Sequence, residues 1–301
     1  MFNKKFDVII VGGGPAGLAS AVALTRSRRS VVVIDSGVGR NRLAEGAHNL
    51  LGNEGISPAE LRAKGRAEAE GYGAEFVDAN VEKLSGDVDD FAAVLDNGSE
   101  IHGRRIILAT GLTDVLPEIP GLREHWGVTA LHCPFCHGYE ARDSRLVVLG
   151  TSPMSGHQAL MFSQLSDKVT YLVHDAEPDA ETAALIDAAG VAVHPGRAAS
   201  ITGTSIHLVD GGELEFDNLV VAPDFVVNSD LYLQLGGELE EGPMGIQIPT
   251  EDRGRTPVAG VWAAGNNRDL PAIVVAASAQ GVAAGAEAHL DLMMADLQAA
   301  K

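Results

Sequence analysis

Short apolar runs separated by glycine-rich turns begin the chain. Residues 6–12 read FDVIIVG, a continuous run of mostly β-branched residues that is typical of a buried parallel strand. Residues 15–27 read PAGLASAVALTRS, and the initial Pro followed by Ala and Leu predicts a helix. Residues 30–36 read SVVVIDS and predict a second buried strand. The chain therefore opens with a strand–helix–strand unit.

The same pattern returns later in the chain. A further apolar strand is predicted at 104–111, and Pro117 and Pro120 after it indicate a hinge. Residues 145–175 repeat strand, helix and strand as RLVVLG, GHQALMFSQLS and KVTYLVHD. The segment 272–297 predicts a long helix whose first half is apolar all round, so we expect that half to be buried. The expected fold class is α/β, with two doubly wound Rossmann-like dinucleotide-binding domains.

Length, charge and cysteine content narrow the class of protein. The 301 residues suffice for two domains, and a formal charge of −19 argues against a nucleic-acid partner, because an acidic surface repels phosphates. The N-terminal apolar stretch is interrupted by Asp7 and is too short for a secretory signal or a membrane span. We therefore expect a cytoplasmic protein with no membrane partner, in which a cysteine pair is catalytic or metal-binding.

The first glycine loop has the spacing of a dinucleotide site. Gly12 permits a tight turn, Gly14 lets the backbone approach a pyrophosphate, and Gly17 lets the helix pack close to the strand. The free N–H groups at the start of the helix attract the anion. Asp35 ends the next strand, where it can accept hydrogen bonds from a ribose diol and would repel the 2′-phosphate of NADP. At this point the dinucleotide is FAD or NAD.

A second glycine loop is altered in ways that weaken nucleotide binding. Gly150 is present, but Ser152 and Ser155 stand where glycine or a very small residue is expected, and Pro153 removes an N–H group. The following strand ends in Asp175, where an NADP site would have Arg to pair with the 2′-phosphate. We therefore expect the fold to be kept and NAD(P)H binding to be doubtful.

Both cysteines of the chain lie in HCPFCH at 132–137, a spacing compatible with haem attachment, half of a zinc site or a redox dithiol. A structural zinc site needs about four ligands, and there is no second cysteine pair, so we expect no metal site. Haem attachment usually requires export. The dithiol is favoured: Cys133 and Cys136 can form a disulfide, His137 can exchange protons, and His132 is interpreted as a surface loop residue.

Four stretches together resemble the low-molecular-weight thioredoxin reductase family over almost the whole chain. They are GGGPAGL at 12–18, ATG at 109–111, the Cys-x-x-Cys at 133–136 and GVWAAGN at 260–266. The run CPFCHGYE, with His137 where the reductases have Asp, is similar to the family's dithiol oxidases of the holomycin and gliotoxin type. Those enzymes oxidise small dithiols, return the electrons to oxygen and do not depend on NADPH.

The resemblance implies a homodimer with an FAD domain formed by 1–116 and 246–301, and an inserted nicotinamide-type domain at 117–245 that carries the dithiol. Asn266 stands where the family has Asp, and it can still hydrogen-bond a ribityl hydroxyl. The residues implied to lie along FAD are Gly12, Gly14, Pro15, Ala16, Gly17, Asp35, Asn49, Thr110, Gly111, Gly265, Asn266 and Ile273.

The resulting hypothesis is an FAD-dependent dithiol/disulfide oxidoreductase, with oxidation of a dithiol as the favoured direction. The resemblance implies that Cys136 passes electrons to the flavin, Cys133 exchanges with the substrate, and His137 serves as acid and base. The substrate is a small dithiol or a thioredoxin-like protein. One alternative is an NAD(P)H-dependent thioredoxin reductase, and another is a non-enzymatic flavin and dithiol redox sensor.

Overall fold

The computed structural model describes residues 4–301, and the chain divides into two units. Unit 1 contains the chain up to Arg42, Ile56–Thr113 and Phe225–Lys301, whereas unit 2 contains Leu43–Gly55 and Asp114–Asp224. Each unit is an α/β structure: the main sheet of unit 1 is mixed, with parallel and antiparallel pairs, and that of unit 2 is parallel. Within residues 4–301, no helix combines the length and the apolar character that crossing a membrane requires.

Residues 4–301 contain nineteen strands and eight helices. The strands are β1 (Lys5–Val11), β2 (Val31–Asp35), β3 (Glu75–Asp78), β4 (Val81–Ser85), β5 (Phe91–Leu95), β6 (Glu100–Leu108), β7 (Leu112–Val115), β8 (Ala130–Leu131), β9 (Leu146–Leu149), β10 (Val169–Leu172), β11 (Ala192–His194), β12 (Ala198–Thr202), β13 (Ser205–Leu208), β14 (Glu213–Glu215), β15 (Asn218–Val220), β16 (Asp224–Val227), β17 (Glu240–Gly242), β18 (Gly245–Gln247) and β19 (Val261–Ala263). The helices are α1 (Pro15–Arg26), α2 (Pro58–Gly71), α3 (Leu122–His125), α4 (Pro134–His137), α5 (Ser155–Phe162), α6 (Ala180–Ala188), α7 (Asp230–Gln234) and α8 (Val274–Ala299).

Unit 1 is organised by a sheet of order β3-β2-β1-β6-β5-β4, in which β19 pairs with the second half of β6. Strand β1 lies between β2 and β6 in parallel register, so that Ile9 is opposite Val32 on one side and Ile106 on the other. Both faces of this sheet are apolar: Ile9 belongs to one buried cluster and Ile10 to the other. The continuous apolar runs of the sequence are therefore buried on both faces, as parallel strands require.

Helix α8 packs along α1 through small residues. A Cβ on Gly281 would collide with the backbone carbonyl of Ala16, and the Ser20 hydroxyl donates a hydrogen bond to the Gly281 carbonyl oxygen at 2.9 Å. The expectation that the first half of α8 is buried all round is wrong, because Val275 and Val282 are 41% and 50% exposed. One face of α8 packs against α1, and the opposite face remains at the surface.

Unit 2 contains a fully parallel sheet of order β11-β10-β9-β15-β8 and a separate antiparallel sheet β12-β13-β14. Val147 and Val148 are neighbours on β9, and their side chains enter different buried clusters on opposite faces of the sheet. The topology confirms the predicted α/β class with two Rossmann-like units. Helix α2 and the antiparallel strands were not foreseen by the pattern.

The chain divides between the units at different residues from those that the resemblance implied. The return to unit 1 occurs at 224/225 rather than 245/246, because Val227 and the fully buried Tyr232 pack into the core that contains Ile9. Residues 43–55 belong to unit 2, not to the N-terminal segment of unit 1. The chain passes from unit 1 to unit 2 between Thr113 and Asp114, close to the predicted boundary after residue 116.

Replacing Gly281 by Val should destabilise unit 1, since the new side chain would meet the Ala16 backbone, which cannot rotate away. We expect the free energy of unfolding to fall by about 2 kcal/mol, measured by denaturant titration followed by circular dichroism. Ala286→Val, at an exposed position of the same helix, should remain within about 0.5 kcal/mol of wild type. An equal loss in both variants would contradict this account of the helix contact.

Candidate active site

The first glycine loop turns between β1 and α1 by close backbone contacts. Gly12 has a φ of +105°, and a Cβ there would collide with the Ala109 carbonyl oxygen. A Cβ on Gly17 would in turn collide with the Gly12 carbonyl oxygen. In contrast, a Cβ built on Gly14 meets no atom within 4 Å among the described residues. The loop is therefore tightly packed against the protein at two glycines and open at the one expected to face a ligand.

The start of α1 leaves its first N–H groups without a side-chain cap. Gly14 is the N-cap residue, and no side chain of the described residues caps the helix. Pro15 occupies the first helical position, where its missing N–H costs nothing, and Ala16 and Gly17 follow in the same turn. Uncapped amides beside an open glycine suit a pyrophosphate. The residues present thus fit the dinucleotide half of FAD.

Asp35 lies beside this loop and is held by two groups. The Gly13 N–H donates to Asp35 Oδ1 at 3.0 Å, and Arg62 Nη2 donates to Asp35 Oδ2 at 2.6 Å. Arg62, from α2, also donates to the Gly37 carbonyl oxygen at 2.9 Å. Sequence patterns gave no signal for Arg62, because it lies on a helix that the pattern did not predict. It fixes the carboxylate at the end of β2.

The ends of β6 and β19 are joined by asparagine side chains. Asn267 is fully buried and donates from Nδ2 to the Leu108 carbonyl oxygen at 2.8 Å, whereas its Oδ1 finds no hydrogen-bond partner within residues 4–301. Thr110 exchanges hydrogen bonds with Asn228: its hydroxyl donates to the Asn228 carbonyl oxygen at 2.7 Å, and Asn228 Nδ2 donates to the Thr110 carbonyl oxygen at 2.9 Å. Asn228 and Asn267 were missed by the sequence motifs, which covered only their neighbours.

The remaining predicted cofactor residues of unit 1 lie at the same strand ends. Gly111 and Gly265 adopt left-handed conformations, with φ of +65° and +85°, and a Cβ on Gly265 would lie 3.1 Å from Ala16 Cβ. Ile273 is the N-cap residue of α8. Asn266 Nδ2 donates to three backbone carbonyls between 269 and 272, which leaves Oδ1 for a ribityl hydroxyl. The contacts of these residues with FAD stay predictions.

The second glycine loop, between β9 and α5, is closed by its own side chains. The buried Ser155 hydroxyl oxygen accepts hydrogen bonds from the N–H groups of Thr151 and Ser152, each at 3.2 Å. The Gly150 carbonyl oxygen accepts from the N–H groups of Asp175 and Ala176 at 2.9 and 2.8 Å. The N–H groups of Thr151 and Ser152, which follow Gly150 in the loop, are therefore already bonded within the protein.

The dithiol lies at α4 in unit 2. Cys133 is the N-cap residue, and its carbonyl oxygen accepts hydrogen bonds from the N–H groups of Cys136 and His137 at 3.1 and 3.2 Å. Both cysteines are half-buried. The turn presents two sulfurs on one short segment, which is the arrangement that disulfide exchange requires.

His137 and His132 flank the dithiol, and each is held in a different way. Burial lowers the pKa of His137, the nearby His48 lowers it further, and Glu140 opposes the shift. His137 Nε2 is buried and finds no hydrogen-bond partner within residues 4–301. His132 is not a simple surface residue as expected: it is half-buried, and Gln158 Nε2 donates to its carbonyl oxygen at 3.0 Å. The lowered pKa leaves the His137 imidazole neutral at physiological pH, and its role as acid and base stays a prediction.

Asn49, predicted to contact the flavin, lies in unit 2 with the dithiol. Its Nδ2 donates to the carbonyl oxygen of Phe135, between the two cysteines, at 2.6 Å. Among residues 4–301, no three His, Cys, Asp or Glu side chains come together as a set of metal ligands.

The chain belongs to the pyridine nucleotide-disulphide oxidoreductase family, whose pattern it matches over residues 6–281. Within that class it is thioredoxin reductase-like. It is 32% identical over 320 residues to the thioredoxin reductase sirT of Leptosphaeria maculans, and 34% identical over 314 residues to the thioredoxin reductase tcpT of Claviceps purpurea. Each alignment covers 98% of this chain and 96% of the relative.

Solved structures agree with these relatives. An oxidoreductase from Agrobacterium tumefaciens is 38% identical with a TM-score of 0.92, over 97% of this chain and 99% of that one. HlmI is 37% identical with a TM-score of 0.93, over 100% of this chain and 96% of that one. The predicted family and the predicted enzyme class are confirmed: this is a thioredoxin reductase-like oxidoreductase of a family that uses FAD.

Gly17→Ala should weaken FAD binding, because the added Cβ would push the Gly12 carbonyl and distort the loop. We expect the dissociation constant for FAD to rise about tenfold or more, measured from flavin retained after equilibrium dialysis. The matched control is Gly71→Ala at the end of α2, where a Cβ meets nothing within 4 Å among the described residues. Full flavin retention in Gly17→Ala would mean that this loop does not hold the cofactor.

Proposed function

We propose that this protein is an FAD-dependent oxidase of small dithiols. The substrate dithiol exchanges with a disulfide between Cys133 and Cys136, so the substrate leaves as a disulfide and the cysteine pair becomes reduced. Two electrons and two protons then leave the pair, which restores its disulfide. The first glycine loop and Asp35 would hold FAD, which when bound would supply the acceptor for these two electrons, with oxygen as the final acceptor and hydrogen peroxide as the product.

The observation that carries the proposal is the closed second glycine loop. A reductase of this class draws its electrons from a nicotinamide nucleotide, whose pyrophosphate needs free backbone amides. Here the N–H groups of Thr151 and Ser152 donate to Ser155, which is fully buried. A nucleotide would have to break both hydrogen bonds before its own could form. This supports a dithiol, rather than NADPH or NADH, as the electron donor.

The charge of a cleft that includes Thr151 of this loop also argues against a nicotinamide nucleotide as the electron donor. A cleft of about 280 Å³ in unit 2 is lined by Val115, Leu116, Pro117, Glu118, Thr151, Asp175, Ala222 and Asp224. Three of these side chains are carboxylates, and none is basic. Asp175 also pairs with Arg197 and lies 3.1 Å from His174 Nε2, so the guanidinium of Arg197 already has a carboxylate partner. A phosphate placed there would meet net negative charge.

The dithiol segment supplies the groups that the exchange needs. We assign Cys133 to the substrate and Cys136 to the flavin side, as the resemblance implies. His137 is kept neutral by burial, which lowers its pKa, so it can accept the proton of a thiol when the thiolate forms. His137 can return that proton when a thiolate is converted back to a thiol.

A thioredoxin reductase is the second candidate, because the relatives sirT and tcpT are both named thioredoxin reductases. In that case electrons run from a nicotinamide nucleotide to a thioredoxin-like protein. Assembly as a homodimer and a cytoplasmic location stay predictions from the resemblance and from the N-terminal sequence.

The oxidase should take up oxygen when it is given dithiothreitol and no nicotinamide nucleotide, and NADPH should leave the rate unchanged. Cys136→Ser should abolish uptake, because a single thiol cannot close an intramolecular disulfide. An oxygen electrode measures both, and flavin content confirms that the variant holds its cofactor. Uptake that requires NADPH would favour the reductase, and one equivalent of uptake without turnover would favour the redox sensor.

A further inference from the structure

A compact loop next to the dithiol is organised by one carboxylate. Glu54 Oε1 pairs with His48 Nδ1 at 2.7 Å, and Glu54 Oε2 accepts a hydrogen bond from the Leu50 N–H at 3.3 Å. The Gly55 N–H donates to the Ala47 carbonyl oxygen at 3.0 Å and closes the loop. The hydrogen bond from His48 also lowers the pKa of Glu54, so its carboxylate is charged. We call residues 46–55 the clasp loop.

The clasp loop contacts the dithiol segment at two points. Asn49 Nδ2 donates to the Phe135 carbonyl oxygen at 2.6 Å, in the middle of the Cys-x-x-Cys turn. His48 Nε2 lies 3.6 Å from Glu140 Oε1, at the other end of the segment. Cys136 and His137 lie between these two points along the chain, and Cys133 lies two residues before the first of them. The loop therefore contacts the middle of the dithiol turn and a residue just beyond its end.

Asn49 adopts a backbone conformation that serves this contact. Its φ is +59°, in the left-handed region that non-glycine residues seldom occupy, although Asn tolerates it better than most. Such strain persists where surrounding structure imposes it, and it concentrates at functional sites. Here the backbone strain coincides with the hydrogen bond from the side chain to Phe135.

His48 and Glu140 also affect the pKa of His137. The charged groups that act on this cluster are Glu54, Glu140 and the two histidines. Burial is the main cause that lowers the pKa of His137; the charge of His48 lowers it further, and the carboxylate of Glu140 raises it. Glu54 and Glu140 are 63% and 48% exposed, so they also connect the cluster to solvent.

We propose that His48 and Asn49 are positioning residues that clasp the dithiol segment and hold Cys136 and His137 in their reactive arrangement. The inference rests on the proposed function of this dithiol, and it adds two residues that neither touch the substrate nor form the disulfide. Asn49 fixes the turn between the cysteines. His48 connects the clasp loop to Glu140, just beyond the dithiol turn.

The first test measures His137 directly in the FAD-bound protein. Histidine labelled at Cε1 is followed by NMR against pH, and His137→Gln identifies the resonance. In wild type the pKa of His137 lies below its usual value, and in His48→Gln it rises toward that value because a positive charge is lost. Asn53→Ala, at an exposed position of the same loop, should leave it unchanged. An unshifted His137 in His48→Gln overturns the role of His48.

The second test follows the backbone of the turn and does not depend on turnover. Asn49→Gly keeps the left-handed conformation but removes the donor to Phe135. Hydrogen exchange of the Cys136, His137 and Gly138 amides should accelerate about fivefold, relative to wild type and Asn53→Ala. Unchanged exchange overturns the clasp. Both readouts stand even if the protein proves to be a reductase, so failure of the clasp and failure of the proposed function are distinguishable.

Discussion

Direct contact between backbones at three glycines is the constraint on which unit 1 depends. Gly12 meets the Ala109 carbonyl, Gly17 meets the Gly12 carbonyl, and Gly281 meets the Ala16 carbonyl, with no side chain between them. These contacts press α1 onto the sheet on one side and onto α8 on the other. As a result, the uncapped start of α1 lies at the carboxyl end of β1, where α/β sheets bind dinucleotides. A side chain at any of the three positions would move the cofactor site.

The two glycine loops of the chain show how one topology can serve two purposes. Both follow a central parallel strand and precede a helix. In the first, Gly14 leaves space beside the start of α1, whereas neither α1 nor α5 has a side-chain cap within residues 4–301. In the second, the Ser155 hydroxyl takes the place that a bound anion would have. Its oxygen accepts hydrogen bonds from two backbone N–H groups of the loop. The strand–turn–helix fold is kept in both units, and the two loops differ in how their backbone amides are bonded.

The sequence predicted the parts of the structure that periodic burial and short-range geometry determine. The parallel strands, α1, α8 and the open first loop lie where the patterns placed them, because apolar runs and glycine spacing act locally. Residues 43–55 and Arg62 could not be predicted in the same way. Arg62 reaches Asp35 from a helix with mostly polar residues, and Asn49 reaches Phe135 across 86 positions in the chain. Contacts of this kind depend on tertiary structure and leave no local pattern.

The proposed function depends on which molecule donates electrons to the flavin, a dithiol or a nicotinamide nucleotide. The most direct measurement is the visible flavin absorption of the purified protein, mixed without oxygen with dithiothreitol, with NADPH or with NADH in separate stopped-flow experiments. The account predicts that the dithiol bleaches the flavin and that neither nucleotide does so on the same timescale. Rapid bleaching by NADPH or NADH, faster than by the dithiol, would contradict it and identify the protein as a nicotinamide-dependent reductase.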